Sequence, residues 1–332
     1  MINVFAHSWN EADSYGRVAI ETAAAIQRTR GVHVNRIGDE FTLIRPTFGG
    51  ILTAYPSQFD LYGGLAQFGR RIALTMFESD IIPSDWIEPL NKCDGVVVTS
   101  NWLVDVFKKC GVKVPVHALH LGINEKFEYQ RRKPHKPFTF IAIGDGGLRK
   151  GSHLAMFAFI RAFGDSPDHR LIIKARNYPI DSFINPNITL IKDELSDEEL
   201  INLYRECDCM VFPSSGEGFG FPPREFAATG GLSIATNWGG TADNIEQWGI
   251  PLSYSMTAAW QGDAKMVGLG QWAHPDQEQL AATMKLVANL PALTRMSFGR
   301  WASLNVRRLY SWDKFGASIY DLWRDNAYAV AV

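Results

Sequence analysis

The sequence predicts an α/β protein of two domains, each built on a parallel sheet that is flanked by helices. Residues 138–163 and 209–231 carry this prediction, because each stretch reads as a strand, a glycine-containing turn and a helix. The chain also begins with a strand, a loop, a helix and a strand, an order that is typical of parallel sheets. With 332 residues, it is long enough for two domains that each bury a core.

Composition and charge place the chain among ordinary globular proteins, with 46% hydrophobic residues, 20% charged residues and a net charge of −2. This balance does not indicate nucleic acid or an anionic membrane as a partner. The first residues begin a strand instead of a signal peptide, and no apolar run approaches a membrane span, so we expect a cytoplasmic protein. Cys93, Cys110, Cys207 and Cys209 lack metal-ligand spacing, which favours free thiols in a reducing compartment.

The first domain is predicted over residues 1–122. Residues 2–6 read as its first strand, and a polar loop then leads to Gly16 and to a helix over residues 17–30. A single glycine at this turn could admit a phosphate or a sugar. The region 45–69 is rich in glycine, proline and aromatic residues, and we interpret it as a loop system that lines a pocket.

A strand over residues 72–77 ends at Glu78, so this carboxylate lies at the carboxyl edge of the predicted sheet. Glu78 is therefore a candidate for contact with an acceptor hydroxyl, and a capping or salt-bridged role is an equal alternative. The other elements of this domain are short: strands over 32–36, 95–98 and 114–121, and helices over 86–93 and 101–109.

The chain changes character after residue 122, where Arg131-Arg-Lys-Pro-His-Lys136 forms a polar, proline-broken connection. We place the domain boundary there, so that the second domain covers residues 123–311. The basic run is most simply a solvated linker. A last helix over 312–328, within a C-terminal segment 312–332, is predicted to cross back to the first domain. The remaining elements of the second domain are strands over 171–174, 188–191 and 233–235, and helices over 196–206, 277–289 and 292–308.

Phosphate-binding chemistry is indicated at the first turn of the second domain. A strand over residues 138–143 runs into Gly144-Asp-Gly-Gly-Leu-Arg-Lys-Gly151, and a helix over residues 153–163 follows. Glycines followed by Arg149 and Lys150 at a helix N-terminus suit a diphosphate cradle. The residue order of a Walker loop is absent, so the turn is of another kind.

Two carboxylates flank the glycine-rich turn within residues 209–231. Glu217 lies in the loop at the strand's carboxyl end, where open α/β sheets bind ligands, and Glu225 falls eight residues later in the first turn of the predicted helix. Free N–H groups at that helix start favour the ionised form of both carboxylates. An ionised carboxylate can accept from two vicinal hydroxyls of a ribose or hexose. The alternative is that both are solvated glutamates beside an ordinary turn.

Together these stretches resemble the GT-B glycosyltransferases, specifically glycosyltransferase family 4, over most of the chain. The strongest part is Pro213-Ser214-x2-Glu217-Gly-Phe-Gly-x4-Glu225-x4-Gly230, which looks like the family's E-x7-E motif. Arg149-Lys150-Gly151 and Asn237-x-Gly-Gly-Thr-x-Asp243 match further family stretches. Residues 78–102 resemble a compact bacterial or phage subgroup.

The resemblance implies a GT-B fold, with two Rossmann-like domains that face each other across a cleft. It also implies retaining transfer of a sugar from a nucleoside diphosphate sugar, such as a UDP- or GDP-sugar, with no bound cofactor and no metal. Glu225 would hold the ribose hydroxyls. Glu217, together with the backbone of Gly218, Phe219 and Gly220, would hold the donor sugar.

Further roles follow from the same resemblance. Lys150, with Arg149, would neutralise the diphosphate, while Gly16 and Arg17 would close on the donor from the first domain. Glu217, Lys150 and Glu78 are then the candidates for catalysis. The chain departs from the family in one respect, since many members carry an arginine where Asp145 stands here.

Other functions stay open at this point. A phage-type DNA glycosyltransferase that acts on a hydroxylated base fits the compact subgroup, although the mild net charge does not favour DNA. A nucleotide-sugar epimerase can use the same architecture. The acceptor, whether glycan, lipid or small molecule, is not indicated by these residues, and peripheral membrane contact stays open.

Overall fold

The computed structural model describes residues 1–11, 13–38, 49–59, 69–144, 147–179, 181, 184–259 and 269–325. The chain forms two compact units. The first contains Met1–Phe77, Ile81–Gly122 and the chain from Tyr310 onward, and the second contains Glu78–Asp80 and Ile123–Leu309. Each unit has a six-stranded parallel sheet, so the predicted α/β class with two parallel sheets is confirmed.

The strands of the first sheet lie in the order β2-β1-β3-β4-β5-β6, and all neighbouring pairs are parallel. In chain order they are Ile2–Ala6 (β1), Val34–Ile37 (β2), Gly50–Thr53 (β3), Ile72–Thr75 (β4), Gly95–Val98 (β5) and Val116–Ala118 (β6). Strands β1, β3, β4 and β5 are buried along their whole length, as is usual for parallel strands covered on both faces.

The second sheet has the order β12-β11-β10-β7-β8-β9 and is also parallel throughout. Its strands are Phe138–Ile143 (β7), His169–Lys174 (β8), Ile188–Ile191 (β9), Cys209–Phe212 (β10), Leu232–Thr236 (β11) and Ile250–Leu252 (β12). An antiparallel hairpin follows, formed by Tyr254–Ala258 (β13) and Gln271–Pro275 (β14).

Nine α-helices lie within the described residues. They are Ser14–Arg30 (α1), Ile87–Asn91 (α2), Asn101–Lys109 (α3), Ser152–Phe163 (α4), Asp197–Arg205 (α5), Phe221–Ala228 (α6), Gln277–Asn289 (α7), Ala292–Leu309 (α8) and Trp312–Arg324 (α9). The predicted last helix was expected to reach residue 328. Residues 326–332 lie outside the described part of the chain.

Helix α9 returns to the first unit and packs along α1. The two backbones approach so closely that a Cβ at Gly316 would lie 2.5 Å from the Cβ of Ala25. Two ion pairs flank this contact, Arg28 with Asp313 and Arg30 with Asp321. The part of α1 around Ala25 is therefore covered by a segment that is distant in sequence.

Two sequence interpretations of the first unit are wrong. The region read as a loop system contains β3, which is a fully buried strand between β1 and β4. Residues 45–48 and 60–68 of that region lie outside the described part of the chain. The strand predicted over 114–121 is shorter, since β6 spans only Val116–Ala118 at the edge of the sheet.

The basic run before β7 is not simply a solvated linker. Arg132 donates to the carbonyl oxygen of Tyr204 (2.7 Å) and to the hydroxyl of Thr229 (2.9 Å), and its guanidinium lies 4.6 Å from the ring centroid of Phe226. Burial lowers the pKa of Arg132 to about 10. This arginine therefore fastens the start of the second unit to the ends of α5 and α6.

Candidate functional site

The second sheet changes its direction of growth between β7 and β10. Strands β8 and β9 follow β7 on one side, while β10, β11 and β12 lie on the other. In open α/β sheets, ligands bind outside the carboxyl ends of the strands at such a switch point. The described parts of the loops that leave β7 and β10, residues 147–151 and 213–220, therefore form the candidate site.

These two loops are in direct contact through Gly151. This residue has φ of +70°, and a Cβ on it would lie 2.1 Å from the carbonyl oxygen of Pro213. Both the left-handed backbone and the close approach require glycine. On the same side, the N–H of Ser215 donates to the carbonyl oxygen of Arg149 (2.7 Å). The turn before α4 and the loop after β10 are thus joined by backbone contacts.

Lys150 and Glu217 form an ion pair at the centre of the site. Nζ of Lys150 lies 2.8 Å from Oε1 and 3.0 Å from Oε2 of Glu217, and the hydroxyl of Ser214 donates to Oε1 (2.7 Å). Burial alone would raise the pKa of Glu217, but the charges of Lys150 and Arg149 and these hydrogen bonds hold the pKa below its ordinary value. Glu217 is therefore an ionised acceptor, although its side chain is only 9% exposed.

Arg149 lies beside this pair. Its Nη1 donates to the carbonyl oxygen of Gly216 (2.6 Å) and lies 3.3 Å from Oε1 of Glu217. Its Nη2 lies 3.8 Å from Oε1 of Glu78. The two cations and two carboxylates of the site therefore balance in formal charge.

Glu78 is not where the sequence places it. The prediction put it in the first domain, but Glu78–Asp80 belongs to the second unit. A Cβ on Gly216 would lie 2.0 Å from the carbonyl oxygen of Glu78. Gln271 holds the same segment, because its N–H donates to Oδ1 of Asp80 (2.6 Å) and its carbonyl oxygen accepts from the N–H of Asp80 (3.1 Å). The structure favours the salt-bridged alternative for Glu78, with Arg149 as its partner.

Glu225 also differs from expectation. Helix α6 begins at Phe221, so Glu225 is its fifth residue and lies in the second turn instead of the first. It is only 2% exposed, so the alternative of a solvated glutamate is wrong for this residue. Pro222 occupies the first turn of the helix, where its missing N–H leaves no helical hydrogen bond unmade. The helix-start N–H groups invoked for both carboxylates are therefore farther from Glu225 than the sequence suggests.

The glycine-rich loop itself is supported from β11. A Cβ on Gly240 would lie 2.1 Å from the carbonyl oxygen of Gly218, and the N–H of Gly240 donates to the carbonyl oxygen of Glu217 (2.7 Å). These contacts place the turn after β11 directly against the loop.

Sequence reasoning missed Arg224, which is fully buried beneath this loop. Its Nη2 donates to the carbonyl oxygens of Gly240 (2.8 Å) and Asp243 (3.2 Å), and its Nη1 donates to the carbonyl oxygen of Phe219. Its guanidinium lies between the rings of Phe219 (4.5 Å) and Trp248 (4.7 Å). An arginine beside two prolines carries no sequence signal of burial, because its partners come from later turns.

Gly16 and Arg17 lie in the first unit, within the first turn of α1. The helix begins at Ser14, so Gly16 is not a separate turn before it. Asp13 caps the helix and accepts from the N–H of Gly16 (3.0 Å). Contact of Gly16 and Arg17 with a donor stays a prediction.

Several further expectations concern other groups. All four cysteines are free, and Cys93, Cys207 and Cys209 are buried. Across the described residues, no three His, Cys, Asp or Glu side chains gather as a metal-binding group. No helix in that same part of the chain is long and apolar enough to cross a bilayer. Asp145, where the sequence departs from the family pattern, lies outside the described residues.

The molecule thus has the GT-B type of α/β fold, with two parallel six-stranded sheets and a polar site at the switch point of the second. Residues 124–251, which include that site, match the sequence profile described as glycosyl transferases group 1. A protein of Sulfolobus islandicus filamentous virus, with a provisional assignment as glycosyltransferase 41, is 27% identical over 166 residues. That alignment covers 48% of this chain and 44% of the viral protein, so the chain matches less than half the length of this relative.

Solved structures resemble the whole chain at low sequence identity. A glycosyltransferase from Rickettsia africae has a TM-score of 0.72 at 14% identity, with 99% of both chains covered. Sucrose-phosphate synthase from Thermosynechococcus elongatus has a TM-score of 0.69 at 14% identity and the same coverage. An Anabaena protein solved with UDP and glucose has a TM-score of 0.69 at 10% identity, covering 97% of this chain and 98% of its own. At such identities the likeness establishes the fold alone.

Proposed function

We propose that this protein is a retaining glycosyltransferase that moves a sugar from a nucleoside diphosphate sugar to an acceptor hydroxyl. The observation that carries the proposal is the Lys150–Glu217 pair, which lies at the switch point of the second sheet directly before helix α4. The profile match over residues 124–251 and the name of the viral relative support the same class of reaction. The similar Anabaena protein was solved with UDP and glucose, so UDP-sugars are the first donors to test.

Lys150 is proposed to serve the diphosphate. Its side chain is 23% exposed, so an anion can reach it, and it precedes the N-terminus of α4, whose dipole favours negative charge. As the bond between sugar and diphosphate breaks, negative charge grows on the leaving phosphate oxygen. An ammonium already held beside that oxygen stabilises this charge without reorganisation. We therefore propose that no metal is needed, and chelation with EDTA should leave turnover unchanged.

Glu217 and the backbone of the Gly218–Gly220 loop are proposed to hold the donor sugar. The ionised carboxylate accepts hydrogen bonds from hydroxyls, and the loop brings backbone N–H groups close to the ligand. Glu225 is proposed to hold the ribose hydroxyls. Because Glu225 is nearly buried, this role requires the ribose to reach the inner side of α6. In a retaining transfer with same-face attack, the acceptor oxygen bonds to the sugar on the side that the leaving diphosphate vacates, and the acceptor's proton passes to the leaving phosphate oxygen, so no enzymic nucleophile is required.

The proposal is tested by isothermal titration with UDP, GDP and their sugar conjugates, followed by turnover with the sugar that binds. Lys150→Gln should weaken nucleotide binding by at least about tenfold, since one charge-assisted contact is worth about 1.5–3 kcal/mol. Lys192→Gln is the matched control, because Lys192 pairs with the exposed Asp181 outside the switch point. If Lys150→Gln binds and turns over as the parent does, this site is not the donor site.

A further inference from the structure

Arg149 is held differently from its neighbour Lys150. Its carbonyl oxygen accepts from the N–H of Ser215 (2.7 Å). Its guanidinium donates to the carbonyl oxygen of Gly216 (2.6 Å). Both the backbone and the side chain of Arg149 therefore form hydrogen bonds with the loop that follows β10.

We infer that Arg149 is a positioning residue that fixes the loop carrying Glu217, while Lys150 alone of this basic pair serves the diphosphate. The role of Lys150 in binding the diphosphate rests on the proposed function, whereas the positioning role of Arg149 does not. It differs from the sequence expectation, in which both cations neutralise phosphate.

The distribution of charge supports this division. Two carboxylates face Arg149, since Oε1 of Glu217 lies 3.3 Å from Nη1 and Oε1 of Glu78 lies 3.8 Å from Nη2. Lys150 faces Glu217 alone among the described ion pairs, and its ammonium has a third N–H beyond the two contacts with that carboxylate. A guanidinium that turned toward phosphate would give up its 2.6 Å contact with Gly216, whereas Lys150 can add an anion and keep Glu217.

Glu78 acts through Arg149 in this arrangement. Its carboxylate faces the guanidinium, and its carbonyl oxygen lies against Gly216, where a Cβ would be only 2.0 Å away. Glu78 and Arg149 therefore hold the loop from two sides. Arginine suits this role because its rigid, planar guanidinium directs separate N–H groups to a carbonyl and to a carboxylate, whereas the ammonium of lysine is a compact charge on a flexible stem.

The first measurement needs no ligand. Hydrogen exchange of the peptide covering residues 213–220 is compared in the parent, Arg149→Gln and Lys150→Gln. We expect exchange about tenfold faster in Arg149→Gln, because local opening becomes easier, and within about twofold of the parent in Lys150→Gln. Helix α7 provides the internal control and should exchange equally in all three. Arg149→Lys keeps the charge and serves as a second variant should Arg149→Gln fold poorly; its exchange should be intermediate.

The second measurement is the dissociation constant for UDP and for GDP, with kcat and KM for the donor that binds. Arg149→Gln should change nucleotide affinity by less than about threefold and lower kcat by about tenfold or more, because Glu217 is displaced, whereas Lys150→Gln should weaken nucleotide binding by about tenfold or more. Glu78→Gln should lower kcat in the same direction as Arg149→Gln, and the double variant should lose less than the product of the two losses.

Unchanged loop exchange in Arg149→Gln overturns the inference whatever the activity. Equal loss of nucleotide affinity in Arg149→Gln and Lys150→Gln also overturns it, because both cations would then be phosphate ligands. If the parent binds neither nucleotide but the loop exchange responds to Arg149 alone, the proposed donor fails and the positioning role stands.

Discussion

Replacement of Glu217 by glutamine should lower the stability of the ligand-free protein, because it removes the only carboxylate that touches both Lys150 and Arg149 among the described contacts. Hydrogen bonds to a charged group contribute about 1.5–3 kcal/mol. Glutamine keeps one acceptor oxygen for Ser214, and water can reach the 23% exposed side chain of Lys150, so only part of this network is lost. We expect a loss of about 2 kcal/mol, which for a unit of this size lowers Tm by about 4–8 °C.

The stability difference between the parent and Glu217→Gln should decrease as the pH falls. The pKa of Glu217 lies below its ordinary value of 4.5, because the attraction of Lys150 and Arg149 outweighs the opposing effect of burial. A carboxylate whose pKa is depressed by folding stabilises the protein above its unfolded pKa, and this stabilisation is lost as the pH falls through the folded pKa. The gap between the parent and Glu217→Gln should therefore be full at pH 7 and should close below pH 4.5.

Differential scanning calorimetry of both proteins without ligand, at pH 7 and at stepped acidic pH, measures this gap. Asp181→Asn is the matched control, since it neutralises a carboxylate that pairs with Lys192 but is 96% exposed, and its Tm should equal that of the parent. A Glu217→Gln protein that melts at or above the parent temperature at pH 7 would refute the reasoning. It would mean that the desolvation of this buried ion pair costs more free energy than its charge attraction and hydrogen bonds contribute.

Three further outcomes are expected. Gly151→Ala should destabilise the second unit by at least about 2 kcal/mol in urea unfolding. The reason is that residue 151 has a φ of +70° and the new Cβ meets the carbonyl oxygen of Pro213. A variant with wild-type stability would show that the two loops can move apart without loss of free energy. Arg224→Lys should lower stability by about 2–4 kcal/mol and speed exchange in the glycine-rich loop, because several buried carbonyls lose their donors, and an unaltered loop would contradict the role described above. In the native protein a thiol reagent at pH 8 should modify at most Cys110, because burial raises the pKa of Cys207 to about 12, while unfolding should release all four thiols.

Much of the second unit follows from local sequence. The apolar run of β10 ended by Pro213, and the prolines and glycines around α6, mark a strand, a turn and a helix with little ambiguity. Parallel strands bring their carboxyl ends to one edge, and the pairing of β7 with β10 brings their loops together there. In the structure Lys150 and Glu217 lie 2.8 Å apart, although 67 residues separate them.

What escaped prediction depends on contacts between distant segments. Strand β3 has four residues that include a glycine, and only its neighbours β1 and β4 make it a buried strand. Glu78 follows a strand of the first sheet, yet its partner Arg149 belongs to the second unit. The burial of Arg224 depends on Gly240, Asp243 and Trp248, which follow later in the chain, so the local sequence gives no sign of it.

The return of α9 to α1 bears on how the protein is made. Helix α1 ends at residue 30 and helix α9 begins at residue 312. The ribosome therefore synthesises the entire second unit after α1 and before α9. At ribosomal rates this interval lasts roughly 15 to 60 seconds. During this interval the surface of α1 around Ala25 is not yet covered by α9. The second unit can therefore fold before the first unit is complete. The first unit is therefore completed last, and removal of α9 should leave this surface of α1 exposed and make the chain prone to aggregation.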